Sequence, residues 1–168
     1  MIIKILATGG TFDKIYFDAK SEFHIGEPMA TSILEEANVD FEFEVESILE
    51  KDSLEINDQD RQHIRQKVVE QDSDKIIITH GTDAMVETGR FLENIPGKTI
   101  VITGAMQPAR MRYSDAGFNI GFAYSAVQIL PPSVYIAMNG KIFDPQTTRK
   151  NVALSRFETI ASSTFSDN

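Results

Sequence analysis

Three short stretches of this chain bring hydroxyls, carboxylates and glycines together: Thr8-Gly9-Gly10-Thr11, Asp52-Ser53 and His80-Gly81-Thr82-Asp83. A threonine hydroxyl is a weak nucleophile until a neighbouring base takes its proton. Lysine suits that task, because burial lowers its pKa towards the working range, and an aspartate beside it holds it in position. Thr11, or Thr82 with Asp83 and Lys150, therefore has the chemistry for nucleophilic acyl transfer. The same residues also read without chemistry, Thr82 and Asp83 as a helix cap, Lys150 as a surface lysine and Gly9-Gly10 as a tight turn. Spacing alone leaves both readings open.

Other chemistries are excluded more firmly. The glycines do not form G-x-G-x-x-G or G-x-x-x-x-G-K-[ST], so no nucleotide motif is present. The chain has no cysteine, hence no thiolate zinc site and no cysteine nucleophile. His24, His63 and His80 are scattered without H-E-x-x-H spacing, so neither a metal nor another cofactor is expected. His80 is expected to satisfy backbone groups beside the site. With 16 Lys+Arg against 25 Asp+Glu the net charge is -9, which suits neither a nucleic acid nor any other phosphate backbone. The acids crowd into residues 35–60, read as a solvated face. No stretch approaches the roughly 20 apolar residues of a membrane helix. The apolar run at the amino terminus is too short for a signal-peptide core and no small-residue cleavage site follows it, so a soluble, cytoplasmic protein is expected.

Something must hold these residues at one place, and the rest of the chain supplies it. Residues 75–79, 98–103 and 133–138 are near-continuous apolar, β-branched runs, as is the shorter run 4–7. Such runs are what parallel strands covered on both faces look like. Residues 42–49 alternate as a half-buried strand. Helical patterns lie between them. One is led by Pro28 into residues 29–34. The others cover 58–71 behind the cap Asn57, 84–94 with Asp83 as cap, and 115–130 up to Pro131-Pro132. Asn139-Gly140 reads as a hairpin turn into 141–143. Five parallel strands alternating with helices give a three-layer α/β/α fold with a mostly parallel sheet, Rossmann-like or flavodoxin-like. Ligands of such folds bind at the carboxyl ends of the strands. The three stretches above sit there, joined after the fourth strand by Gly104-Ala105-Met106-Gln107-Pro108.

Taken together these segments resemble the bacterial-type L-asparaginase family. Ala7-Thr8-Gly9-Gly10-Thr11 and Thr79-His80-Gly81-Thr82-Asp83-Ala84-Met85 resemble its two signature motifs. Residues 104–108 resemble its GAMRP segment, and residues 138–151 its lysine-bearing region. The resemblance covers almost the whole chain in the right order. It implies a small amide as substrate, L-asparagine first, hydrolysed to L-aspartate and ammonia. Thr11 is then the nucleophile that forms an acyl-enzyme, and Thr82, Asp83 and Lys150 form a second triad. Ser53 takes the substrate's α-carboxylate and Asp83 its α-amino group. Gly10 and Gly81 line the substrate site, and backbone N–H groups near Thr82 stabilise the oxyanion.

The departures from the family matter as well. Its members run to roughly twice this length and carry a C-terminal domain, which the expected organisation here lacks. That organisation is one α/β domain over residues 1–158, then a polar tail over 159–168. Phe23 falls where the family has a loop tyrosine, with Tyr16 nearby as another phenol. Leu54 and Ala84 fall where further polar groups are common. The alternative function is therefore an amino-acid-binding or sensing module that keeps the pocket without turnover. A homo-oligomer is expected, with the apolar helix 116–130 suited to an interface.

Overall fold

Continuous β-branched runs build the middle of the sheet in this computed structural model, which describes residues 2–17 and 22–160. The elements are β1 (Ile3–Gly9), β2 (Lys14–Phe17), β3 (Glu22–Ile25), α1 (Ala30–Glu36), β4 (Phe43–Lys51), α2 (Asp58–Glu70) and β5 (Lys75–Thr79). There follow α3 (Met85–Phe91), β6 (Thr99–Thr103), α4 (Ala116–Ile129), β7 (Ser133–Met138), β8 (Lys141–Phe143), β9 (Thr148–Asn151) and β10 (Arg156–Thr159). Side chains alternate across a strand, so an unbroken apolar run needs cover on both faces. Ile76 and Ile78 enter a core with Ile64, Val68, Met85 and Leu92, on the side of α2 and α3. Ile77 faces the opposite core, with Phe12, Leu34, Ile120 and Val127, on the side of α1 and α4. Two cores on one sheet make the three-layer α/β/α arrangement.

The main sheet runs in the order β4-β1-β5-β6-β7-β8. Neighbours from β4 to β7 are parallel, and the three-residue β8 closes one edge antiparallel to β7. The nine-residue β4 forms the other edge. Counting the parallel strands in chain order, the sheet reads 2-1-3-4-5, which is the flavodoxin-like order. The chain leaves β1 towards one edge, then returns to place β5 on the far side of β1. The carboxyl ends of β1 and β5 thus flank the switch point, where this architecture opens its crevice.

Most expected elements recur within a residue or two. Asn57 caps α2, accepting the N–H groups of Gln59 and Asp60 while Asp60 accepts that of Asn57. Asn139 and Gly140, with φ of 55° and 71°, make the turn from β7 to β8. Three expectations are corrected. Helix α1 starts at Ala30 rather than on the heels of Pro28, with Met29 as its N-cap and the Met29 N–H satisfied by Asp13 Oδ1. Helix α3 spans Met85–Phe91 instead of 84–94, and Asp83 does not cap it, because its carboxylate is engaged by Lys150. The tail does not begin at Thr159, which pairs in β10, nor at Ile160, whose N–H donates to Thr147 O at 2.7 Å. The remainder of that tail, 161–168, lies outside the described residues. The hairpins β2–β3 and β9–β10 are additions the pattern of the sequence did not reveal.

Candidate active site

The end of β1 is built from backbone. Thr8 Oγ1 donates to Thr79 O at 2.9 Å, and the Gly10 N–H donates to Lys51 O at 2.9 Å. The strand is thereby tied to both its neighbours. Gly10 has a φ of 71°, and a Cβ there would stand 2.5 Å from the backbone nitrogen of Gly81. Only glycine meets both demands without strain. The next residue, Thr11, opens a single 3-10 turn, Thr11–Asp13, whose Phe12 is fully buried in the core beside α1 and α4. Thr11 itself is half-buried, and no described residue hydrogen-bonds its hydroxyl.

A second loop arrives from β4. Asp52 caps a 3-10 turn over Ser53–Glu55, accepting the Leu54 N–H while Glu55 reaches back to the Asp52 N–H. Lys14 Nζ stands 2.6 Å from Asp52 Oδ2 and ties the β2–β3 hairpin to this turn. That hydrogen bond is the main cause of an Asp52 carboxyl pKa held below its ordinary value. Ser53 is buried, and its hydroxyl accepts the Asp83 N–H at 3.2 Å. A Cβ on Gly81 would collide with the Ser53 side chain. Gly10, Gly81 and Ser53, from three separate loops, therefore touch at the switch point.

The third component comes from far along the chain. Lys150 Nζ donates to Thr82 Oγ1 at 2.8 Å and to Asp83 Oδ1 at 2.6 Å. The lysine side chain is 15% exposed, so it is not an ordinary surface lysine. Strand β9 delivers it, and Arg90 of α3 seats β9 by donating to Pro145 O at 2.9 Å and Thr148 O at 3.2 Å. Phe157 of β10 packs into the main core and meets the Phe143 ring, which anchors the hairpin.

His80 is a strut inside this frame. It is fully buried, and burial pushes its pKa down to about 4, so the ring is neutral at pH 7. The Gly81 carbonyl only accepts, so Nδ1–H is the donor at 2.7 Å. Nε2 is then the acceptor for the Thr88 hydroxyl at 2.9 Å. The loop after β6 has its own clamp, which went unread in the sequence. The Asp115 carboxylate accepts the N–H groups of Met106 and Gln107 at 3.0 Å. Asn119 donates to Asp115 and, at 2.9 Å, to Gly104 O. An aspartate opening an apolar helix reads as a cap, and nothing local shows that it reaches backwards across its loop.

The residues expected at the site fall as follows. Gly10 approaches Gly81, Gly81 approaches Ser53, Ser53 accepts from Asp83, and Lys150 joins Asp83 to Thr82, so the six are linked in one chain of contacts, and Thr11 follows directly on Gly10. The hydroxyls of Ser53 and Thr82 each accept one bond, and no described residue takes their protons. Tyr16 pairs across the hairpin with Phe23, ring centroids 5.2 Å apart, which puts a phenol on the same face as Phe23. Leu54 is 78% exposed. Among the described residues no cluster of three or more His, Asp or Glu has the makings of a metal site, and no helix is long and apolar enough to cross a membrane. An arrangement of three hydroxyls and one lysine–carboxylate pair suits acyl transfer at a small polar molecule.

Comparison with known proteins agrees with this geometry. The sequence profile described as "Asparaginase, N-terminal" matches residues 2–167. The L-asparaginase of Thermococcus kodakarensis is 31% identical over 172 aligned positions, which take in 95% of this chain and 51% of that protein. L-asparaginase 2 of Escherichia coli is 30% identical over 167, covering 88% of this chain and 46% of that one. The solved structure of the thermostable Thermococcus kodakarensis L-asparaginase superposes with a TM-score of 0.83 at 29% identity, over 95% of this chain and 51% of that chain. L-asparaginase I from Vibrio cholerae shares the fold, with a TM-score of 0.82 at 24% identity over 94% of this chain and 51% of that chain. The chain spans about half the length of the curated relatives it matches.

Proposed function

Because this chain belongs to the asparaginase family, by its match to that family's N-terminal domain, we propose that it is an amidohydrolase acting on L-asparagine or a related small amide. The observation that carries the reading is Lys150 Nζ bridging Thr82 Oγ1 and Asp83 Oδ1 at 2.8 and 2.6 Å. It turns two strand-end residues into a path for a proton. In the reaction, the Thr11 oxygen bonds to the amide carbon, and its proton passes to the departing nitrogen, which leaves as ammonia. Water then breaks the acyl–oxygen bond, releases the acid and restores the hydroxyl. Thr82, Lys150 and Asp83 carry the proton transfers, and the free hydroxyl proton of Ser53 is available to the substrate carboxylate. Tyr16, opposite Phe23, is the phenol that the β2–β3 hairpin offers. Assembly into a homo-oligomer fits the exposed side of α4, where Phe118 and Phe122 stack and Ile129 is 77% exposed.

The test is ammonia release from L-asparagine, with L-glutamine alongside, for the unmodified chain and for Thr11→Ala. The expected outcome is turnover that falls at least about 1,000-fold in the variant. A second reading, a binding module without turnover, is favoured by the apolar Leu54 beside Ser53. Tight aspartate binding with no ammonia released from any small amide would select it.

A further inference from the structure

Asp13 is a buried charge that the reaction as written leaves unused. It ends the 3-10 turn that Thr11 begins, and it is 1% exposed. Its Oδ1 accepts the Met29 N–H at 2.8 Å, and its carbonyl accepts the Gly26 N–H at 2.8 Å. The chain that leaves at Asp13 to form the β2–β3 hairpin is thereby fastened where it returns. On the other side of the turn, the Ala109 N–H donates to Phe12 O at 3.1 Å. The residue after it, Arg110, acts on the Asp13 carboxyl through its charge without an ion pair, and Lys14 is bound to Asp52 instead. The α1 side contributes the Met29 N–H.

An asparagine at position 13 would accept the same Met29 N–H without a charge to bury. Burial instead pushes the Asp13 pKa up to about 6, so at neutral pH a carboxylate is kept there against its surroundings. A carboxylate 1% exposed, held by one backbone N–H at the end of the turn that carries Thr11, is placed to fix that turn. The Thr11 hydroxyl has no described partner, so its aim is set by the backbone of its own turn. Asp13 is the far end of that turn. Resting on the amidohydrolase reading, we propose that Asp13 is a positioning residue for Thr11, its carboxylate clamping Met29 and its carbonyl Gly26 so that the turn presents the nucleophile.

The experiment follows ammonia release between pH 5 and 8.5 for the full chain, Asp13→Asn, Asp13→Ala and Arg110→Gln, with hydrogen exchange at the Gly26 and Met29 amides. The expected kcat of the unmodified chain rises with a midpoint near pH 6, while KM hardly changes. Asp13→Asn abolishes that limb and lowers kcat at pH 8 roughly 10-fold, with KM within about twofold. Arg110→Gln moves the midpoint upwards, since the cation that favours the carboxylate is gone. An Asp13→Asn variant with unaltered kcat and the same acid limb overturns the proposal. If that variant does not fold, an unmoved midpoint in Arg110→Gln overturns it instead. No turnover in the unmodified chain defeats the amidohydrolase reading itself. The clasp is then decided by exchange, and unchanged Gly26 and Met29 amides in Asp13→Ala reject it.

Discussion

At the scale of single residues, the site is decided by what is missing from two side chains. Gly10 and Gly81 let three loops meet backbone to backbone, which puts Thr11, Ser53 and Thr82 within one small region. Gly10→Ala would place a methyl group 2.5 Å from the Gly81 nitrogen, at a φ of 71° that an L side chain resists. The expected loss is roughly 2–4 kcal/mol of stability, with turnover reduced further than stability, measured by urea unfolding and ammonia release. The residue types at the strand ends were legible in the sequence, because hydroxyls and glycines stand out after a β-branched run. Lys150 was a candidate by residue type, but its place beside Thr82 was legible by resemblance alone, since nothing near it in sequence indicates that β9 will carry it there. Asp13 and Asp115 were not legible at all as clamps, because their partners, Met29 and Met106, are set by how loops fold back.

At the scale of elements, strands were read well because burial on both faces leaves a strong signal in composition. Ile76-Ile77-Ile78 divides between two cores, and no other element accommodates such a run at that length. Helix ends were read well where a side chain caps locally, and poorly where a distant group intervened. Asn57 is the local case. Asn57→Ala should destabilise the chain by about 1 kcal/mol, seen as a lower urea midpoint with an unchanged slope. Turnover should be preserved, because α2 contributes no side chain to the site. Asp83 is the distant case, drawn away from α3 by Lys150. The hairpins β2–β3 and β9–β10 escaped because strands of four residues carry too little periodicity to separate from loop.

For the molecule as a whole, two buried groups titrate against each other. His80 has its pKa lowered from 6.5 to about 4 by burial, so the unfolded chain takes that proton first and stability falls as pH drops through this range. Asp13 has its pKa raised from 3.8 to about 6, so the folded chain takes that proton first and stability is gained as pH drops from about 6 to 3.8. Each shift corresponds to about 3 kcal/mol, with opposite sign over nearly the same window. Asp13→Asn removes one side of the balance. Between pH 7 and 4.5 that variant should lose about 2 kcal/mol more stability than the unmodified chain, measured by urea unfolding at fixed ionic strength. The two margins of the sheet carry a different consequence. An unpaired strand is a template on which another chain can crystallise its own backbone, and long flat margins seed fibrils. The margin at β8 is only three residues long, whereas that at β4 runs for nine and carries Glu44, Glu46 and Glu50. Two of these acids are held by lysines, Glu44 by Lys4 and Glu46 by Lys67, so the longer margin presents long, paired side chains in place of a bare apolar template, a way of keeping a second backbone from docking there.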